Sequence, residues 1–270
     1  MKLGIGSWCY AWTIGVPGHL PEQTMGPLDL LNRAAELGVV VLQVADNLPL
    51  DQLSSAELDA FEERAAELNI DVEVGTRGIQ PNHLRAYLKL AERFKSPFLR
   101  TVIDTAEHQP DEDEVVNIIK EIIPEFEQAG VCLAIENHDR FKAKTLVEII
   151  ERIGSDYVGI CLDTVNSFAA LENVEVIVQT LGPLTVNLHI KDFVVRRASH
   201  MMGFSIEGCP AGQGRLNVPW LLDTLGKFYI DPNAILELWP PPEKTPVATI
   251  AKENAWVEAS IEYLRTLIPD

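Results

Sequence analysis

Leu133-Ala134-Ile135-Glu136-Asn137-His138 is an aliphatic run that stops at a carboxylate. The same event recurs at Gly159-Ile160-Cys161-Leu162-Asp163, at Val186-Asn187-Leu188-His189 and at Ala234-Ile235-Leu236-Glu237. Each run reads as a short strand buried on both faces, being too brief for a helix and largely apolar. Each ends in a side chain able to hold a metal. Together Glu136, Asp163, His189 and Glu237 offer three carboxylates and one imidazole. That oxygen-rich set suits one hard divalent cation, Mn2+ first with Mg2+ or Co2+ as alternatives, rather than structural zinc.

Outward from these four ends the chain repeats one unit. Strands are expected at 2–7, 39–45, 70–75, 98–103, 131–136, 158–163, 184–189 and 234–237. Helices are expected at 27–37, 56–68, 81–94, 111–129, 144–153, 174–181, 218–228 and 246–267, the first with Leu28, Leu31 and Ala35 on its apolar face. Ser54 and Ser55 can cap the second helix, Asn69 can end it, and Gly38 and Gly130 read as stops. Eight such repeats point to an α/β protein of the (β/α)8 TIM-barrel type, a single domain over residues 1–270. Active sites of such barrels lie at the C-terminal ends of the strands, where the four metal candidates fall. The longest stretch expected to lack structure is 191–216.

Composition narrows the function. Forty acidic residues against 22 basic ones give a formal net charge of −18, which opposes binding to nucleic acid or to anionic lipid. No apolar run reaches the length of a membrane span, and the first residues lack the features of a signal peptide. Cys9, Cys132, Cys161 and Cys209 are widely spaced, and Cys132 and Cys161 sit in apolar runs as buried thiols. A reducing, cytoplasmic setting follows as the expectation.

The chemistry can be read from the residue types. A divalent cation polarises a carbonyl as a Lewis acid and stabilises the enediolate formed when a carboxylate removes the neighbouring proton. Three carboxylates and a 2+ ion leave a site charge of about −1, so one carboxylate can stay basic. His138, two residues past Glu136, is either an acid/base or substrate contact, or a residue that orients its loop. Trp8, just past the first strand, either walls a substrate pocket or covers the barrel rim. Lys191, Arg196, Arg197 and Arg215 face only Asp192 and Glu207 within 191–215, which suggests a clamp for a substrate carboxylate or phosphate. Arg77 and Arg140, each past a strand end, would add to it. Gly203, Gly208, Gly212 and Gly214 make that stretch a mobile lid or let its backbone approach a ligand.

The chain resembles the sugar phosphate isomerase/epimerase superfamily of xylose isomerase-like TIM barrels, over essentially its whole length. The resemblance is carried by Ala134-Ile135-Glu136-Asn137-His138, Leu162-Asp163-Thr164-Val165-Asn166-Ser167, His189-Ile190-Lys191-Asp192 and Leu236-Glu237. It implies that Glu136, Asp163, His189 and Glu237 bind one divalent ion, and that Glu136 and Glu237 also shuttle a proton beside the substrate carbonyl. It implies a small sugar or sugar acid as substrate, and leaves the oligomeric state open, homo-oligomers being common in the family. The leading expectation is therefore a metal-dependent sugar isomerase or epimerase. One departure matters. Sugar 3-epimerases usually carry a histidine three residues after the aspartate ligand, and this chain has Asn166, which can bond a hydroxyl but cannot act as a base. The alternative is a lyase using the same site, resembling 3-oxo-isoapionate decarboxylases or inosose-type dehydratases. A repair endonuclease is disfavoured by a chain with only six histidines and an acidic surface, and a non-enzymatic sugar-binding barrel by the completeness of the ligand set.

Overall fold

Every expected strand forms, and the eight close on one another. In the computed structural model, which describes residues 1–269, these are β1 (Leu3–Gly6), β2 (Val41–Val44), β3 (Asp71–Arg77), β4 (Phe98–Val102), β5 (Cys132–Glu136), β6 (Val158–Asp163), β7 (Thr185–Ile190) and, last in the chain, β10 (Ala234–Leu236). All neighbours pair in parallel, in chain order around the barrel, and β10 closes it against β1. Helices α2 (Pro27–Glu36), α3 (Ser55–Leu68), α4 (Pro81–Phe94), α5 (Glu112–Ala129), α6 (Ala143–Ile153), α7 (Val174–Leu181), α8 (Val218–Lys227) and α9 (Pro246–Arg265) follow the strands. The chain is thus a (β/α)8 TIM barrel. Among the described residues, no helix is long and apolar enough to cross a membrane.

The helix boundaries have local causes. Ser54 and Glu57 form a reciprocal capping box at the start of α3, a feature that stabilises a helix by about 1 kcal/mol. Asn69 ends α3 at φ 54°, and Gly130 ends α5 at φ 70°. Asp111 caps α5 by accepting from the Glu114 N–H at 2.9 Å, and three acids fill the first turn at the positive end of the helix dipole.

Two expectations need correction. First, residues 191–216 are not structureless. Strands β8 (Asp192–Arg197) and β9 (Phe204–Cys209) pair as an antiparallel hairpin that rises from the barrel rim. Phe193 and Val195, on one face of β8, pack on the core, and exposure rises along the strand until Arg196 and Arg197 are exposed at its end. The glycines that follow do not loosen the segment. The buried Asp192 carboxylate accepts the N–H groups of Phe193, Gly212, Gly214 and Leu216 at 2.7–2.9 Å. A Cβ at position 214 would lie 2.2 Å from Asp192 Oδ1, so that glycine permits a close backbone approach.

The aromatic stretch that follows β1 is helical. Ser7–Tyr10 forms a 3-10 turn that runs into α1 (Ala11–Ile14), with Cys9 and Tyr10 in the core. The buried Glu253 carboxylate of α9 ties it down by accepting from the N–H groups of Trp12 and Thr13 at 2.8 and 3.0 Å. Second, α2 buries Leu30, Leu31 and Ala34, whereas Leu28 is exposed. Pro27 opens α2, so Leu28 lies in a first turn that faces outward.

The barrel interior is unusual for its architecture, whose lumen is ordinarily filled by branched aliphatic side chains. Gln43, Glu73, Arg100 and Asn187 are all buried here. Gln43 of β2 bonds Asn187 of β7, two strands that are not neighbours, so the contact crosses the lumen. Gly75 pairs in register with Arg100, and a Cβ there would come within 3.3 Å of the Arg100 side chain. The missing side chain makes room for a large one.

Candidate active site at the C-terminal end of the barrel

Strands β5, β6, β7 and β10 each deliver one side chain to a single point. His189 Nδ1 lies 3.4 Å from Glu136 Oε2, 3.5 Å from Glu237 Oε1 and 3.8 Å from Asp163 Oδ2. All four side chains are buried. Asp163, His189 and Glu237 each offer a ligand atom within 4.8 Å of the others. Such spacings suit donors on one cation with bonds of about 2.0–2.2 Å.

The donors are also short of partners. Among the described residues, Asp163 Oδ2, His189 Nδ1 and both Glu237 carboxylate oxygens are buried without a hydrogen-bond partner. A neutral imidazole facing three carboxylates with its lone pair would be repelled. Burial works against a charge on His189, but the Cys161 thiol, Glu237 and Glu136 outweigh it and raise its pKa well above the ordinary value. The ring therefore faces the carboxylates either with a second proton or across a cation. A hard divalent ion fits this donor set, and Glu136, Asp163, His189 and Glu237 are the residues that would hold it.

Two fixed cations flank the cluster. The Lys191 ammonium lies 2.9 Å from Asp163 Oδ2 and 2.8 Å from Glu237 Oε2, a charge contact whose angles are not those of hydrogen bonds. Burial pulls the Lys191 pKa down, but Asp163, Glu237 and Glu136 reverse this and raise it. Burial pushes Asp163 up, yet Lys191 and His189 hold it well below the usual carboxylate range. On the other side, Arg100 Nε donates to Glu136 Oε2, while its Nη1 donates to Asp46 Oδ1 and the Thr76 carbonyl, both at 3.0 Å. Burial again opposes ionisation of Glu136, and Arg100, His189 and Lys191 overcome it. Asn166 donates its amide N–H to Glu136 Oε1 at 2.6 Å. Asp163 Oδ1 accepts from the N–H groups of Val165 and Asn166 at 2.8 Å, which fixes that carboxylate.

An opening of about 400 Å³ leads to this cluster. Asp139, Asn166, Phe168, Lys191 and Trp239 line it, and Ile206 of the hairpin completes the wall.

A family model for the xylose isomerase-like TIM barrel matches residues 31–267. The chain belongs to that family. A protein of Pectobacterium atrosepticum named 3-oxo-isoapionate decarboxylase is 34% identical over 269 residues, 100% of this chain and 97% of that protein. The solved structure of a D-psicose 3-epimerase in the presence of D-fructose superposes with a TM-score of 0.74 at 18% identity, covering 100% of both chains. A xylose isomerase-like TIM-barrel protein from Mycobacterium smegmatis in complex with magnesium gives 0.72 at 14% identity, covering 97% of each chain. The two structural likenesses carry the fold.

In this xylose isomerase-like barrel some expected site residues converge and others do not. Glu136, Asp163, His189, Glu237, Asn166 and Lys191 meet at one point. Arg77 and His138 stand further along the rim: Arg77 Nε bonds Asp46 Oδ2 at 3.0 Å, and its Nη2 lies 3.5 Å from His138 Nε2. His138 Nδ1 pairs with Asp139 at 2.9 Å. Trp8 is half-buried, with Nε1 3.4 Å from Asp46 Oδ1, so it packs against the same rim. The arginines expected to complete the anion clamp do not gather at the cluster. Arg196 pairs with Glu207 inside the hairpin, Arg140 with Asp104 and Arg77 with Asp46, while Arg197 is exposed. Each of these three paired arginines already faces an acid, and only Lys191 of the basic stretch reaches the cluster.

Sequence reasoning assigned no role to Arg100, Asp46, Gln43, Glu73 or Asn187. Their signal was present as single polar residues inside apolar strand runs, such as Gln43 in Val41-Leu42-Gln43-Val44 and Glu73 in Val72-Glu73-Val74. A polar residue inside a two-face-buried strand needs a partner within the barrel.

Proposed function

We propose that this protein is a divalent-metal-dependent lyase that decarboxylates a small 3-oxo sugar acid. The observation that carries this reading is that each glutamate at the site already faces a fixed cation, Glu136 with Arg100 and Glu237 with Lys191. A two-carboxylate proton shuttle needs glutamates that can take up a proton readily. A guanidinium beside Glu136 keeps it ionised and weakly basic. Decarboxylation asks for no base in the bond-breaking step. The C–C bond electrons flow into the neighbouring carbonyl, CO2 leaves, and a proton then replaces it at carbon. A bound divalent ion would supply polarisation of that carbonyl. Lys191 is placed to hold the substrate's charged oxygens, and Asn166 to hold both Glu136 and a substrate hydroxyl. Asn166 at the position where 3-epimerases usually have a histidine, and the likeness to a decarboxylase over the full chain, support the same reading. Glu136, Asp163, His189 and Glu237 are the proposed metal ligands within a single domain, and His138 and Arg77 would meet the far end of the substrate.

A sugar isomerase or epimerase remains the second reading. It is favoured by one observation, that Glu136 and Glu237 both border the space in front of His189.

The test is turnover with Mn2+ of 3-oxo sugar acids carrying a labelled carboxylate, beside neutral ketoses, in D2O. The expected result is labelled CO2 with one deuterium in the shortened product, and a loss of about 100- to 1,000-fold in kcat for Lys191→Met. Deuterium entering a ketose of unchanged carbon count, with no CO2 from any acid, would establish the second reading instead.

A further inference from the structure

Behind the candidate metal centre a second set of side chains fills the lumen, none of them placed in the reaction above. His189 Nε2, the ring nitrogen turned away from the carboxylates, lies 2.7 Å from Gln43 Oε1. Gln43 Nε2 spends both its protons elsewhere, on Glu73 Oε2 at 3.1 Å and on Asn187 Oδ1 at 3.0 Å. Glu73 is buried and gathers two further amides, Asn233 Nδ2 at 2.8 Å on Oε1 and Asn187 Nδ2 at 3.2 Å on Oε2.

The direction of these bonds follows from what each group can do. Burial raises the Glu73 pKa and the Asn233, Gln43 and Asn187 amides oppose it; with amide N–H groups on both its oxygens, the carboxylate is the acceptor. The nitrogen of Gln43 must therefore face Glu73, and its oxygen must face His189. Turning the Gln43 amide over would set its oxygen against the Glu73 carboxylate and Asn187 Oδ1, three acceptors with no proton among them. Because Gln43 presents an acceptor, His189 Nε2 must carry a proton. Nδ1 is then the only ring nitrogen free to bind a cation.

We propose that Gln43, anchored by Glu73, is the positioning residue that commits His189 to metal binding through Nδ1. The inference rests on the metal reading of the site. It assigns a purpose to polar groups at a depth where this architecture ordinarily carries aliphatic side chains.

Three measurements test it. In Zn2+-loaded wild-type protein, nitrogen-resolved NMR is expected to show a hydrogen-bonded, slowly exchanging proton on His189 Nε2. A proton on Nδ1, or none at Nε2, overturns the proposal without any variant. Mn2+ affinity by calorimetry is expected to fall about ten- to a hundredfold in Gln43→Met. In the exchanged pair Gln43→Glu with Glu73→Gln, a carboxylate oxygen takes the place of the amide oxygen that accepts from His189, an amide faces that carboxylate from position 73, and the Asn187 amide turns over to suit both, so affinity is expected to return to within about threefold of wild type. If Gln43→Met only loses thermal stability and binds Mn2+ as wild type does, the positioning role is wrong. If the exchanged pair binds as weakly as Gln43→Met, Glu73 is not the anchor. Wild-type protein that takes up neither ion would remove the metal reading itself, an outcome distinct from both.

Discussion

The first four barrel strands and the last four put their inward polar groups to different uses. β5, β6, β7 and β10 place Glu136, Asp163, His189 and Glu237 around one point, with four of their atoms lacking hydrogen-bond partners among the described residues. β2, β3 and β4 contribute Gln43, Glu73 and Arg100, whose polar groups are bonded to the other half or to each other. One half is left open toward a ligand and the other is closed, its polar groups spent on bonds within it and to the open half. The difference shows how buried charge is tolerated. The closed half gives each ligand side chain a fixed orientation, so the open half can keep its donors unpaired.

The tie between the two halves is expected to matter most at Arg100. It is almost fully buried and joins Glu136 to Asp46. In metal-free protein, Arg100→Met leaves the buried Glu136 and the half-buried Asp46 without that partner and is expected to cost about 3–5 kcal/mol of unfolding free energy by urea denaturation. A loss below about 1 kcal/mol would mean that the closed half does not brace the open one.

Asp46 sharpens the same point through pH. Burial pushes its carboxyl up, but Arg100 and Arg77 bring it down from 3.8 to about 2. A carboxyl depressed in the folded state stabilises fully above its unfolded pKa, and that contribution disappears as pH falls through the folded value. Asp46→Asn is therefore expected to cost about 2 kcal/mol near neutral pH. The gap between variant and wild type should close between about pH 4 and about pH 2. A gap that persists at the lower pH would trace the cost to packing and not to charge.

The smallest effect is expected outside the barrel. Arg196 is 65% exposed and pairs with Glu207 across the hairpin. Arg196→Ala should change stability by less than about 1 kcal/mol and leave turnover near wild type. A collapse in turnover would show that the hairpin brings a cation to the substrate, as the charge pattern of the sequence suggests.

The apolar runs and their terminal carboxylates were legible in sequence because a two-face-buried strand and its end are local features. The hairpin was not, since β8 carries Arg196 and Arg197 and β9 carries Glu207, and neither run is continuously apolar. That the arginines stand apart from the cluster was illegible for a related reason. Charge counts along a segment register how many cations it holds, but not that Arg196, Arg140 and Arg77 each find an acid in the fold.

The eight-fold alternation and the four candidate ligands at successive strand ends can be read locally, because strand period and strand termination are written within a few residues. Tertiary structure alone decided which cation faces which carboxylate, and that Gln43 meets Asn187 from 144 positions away. Closure of the barrel sets those pairings. Residues on non-adjacent strands come within hydrogen-bond reach only across a lumen that no local stretch of chain describes.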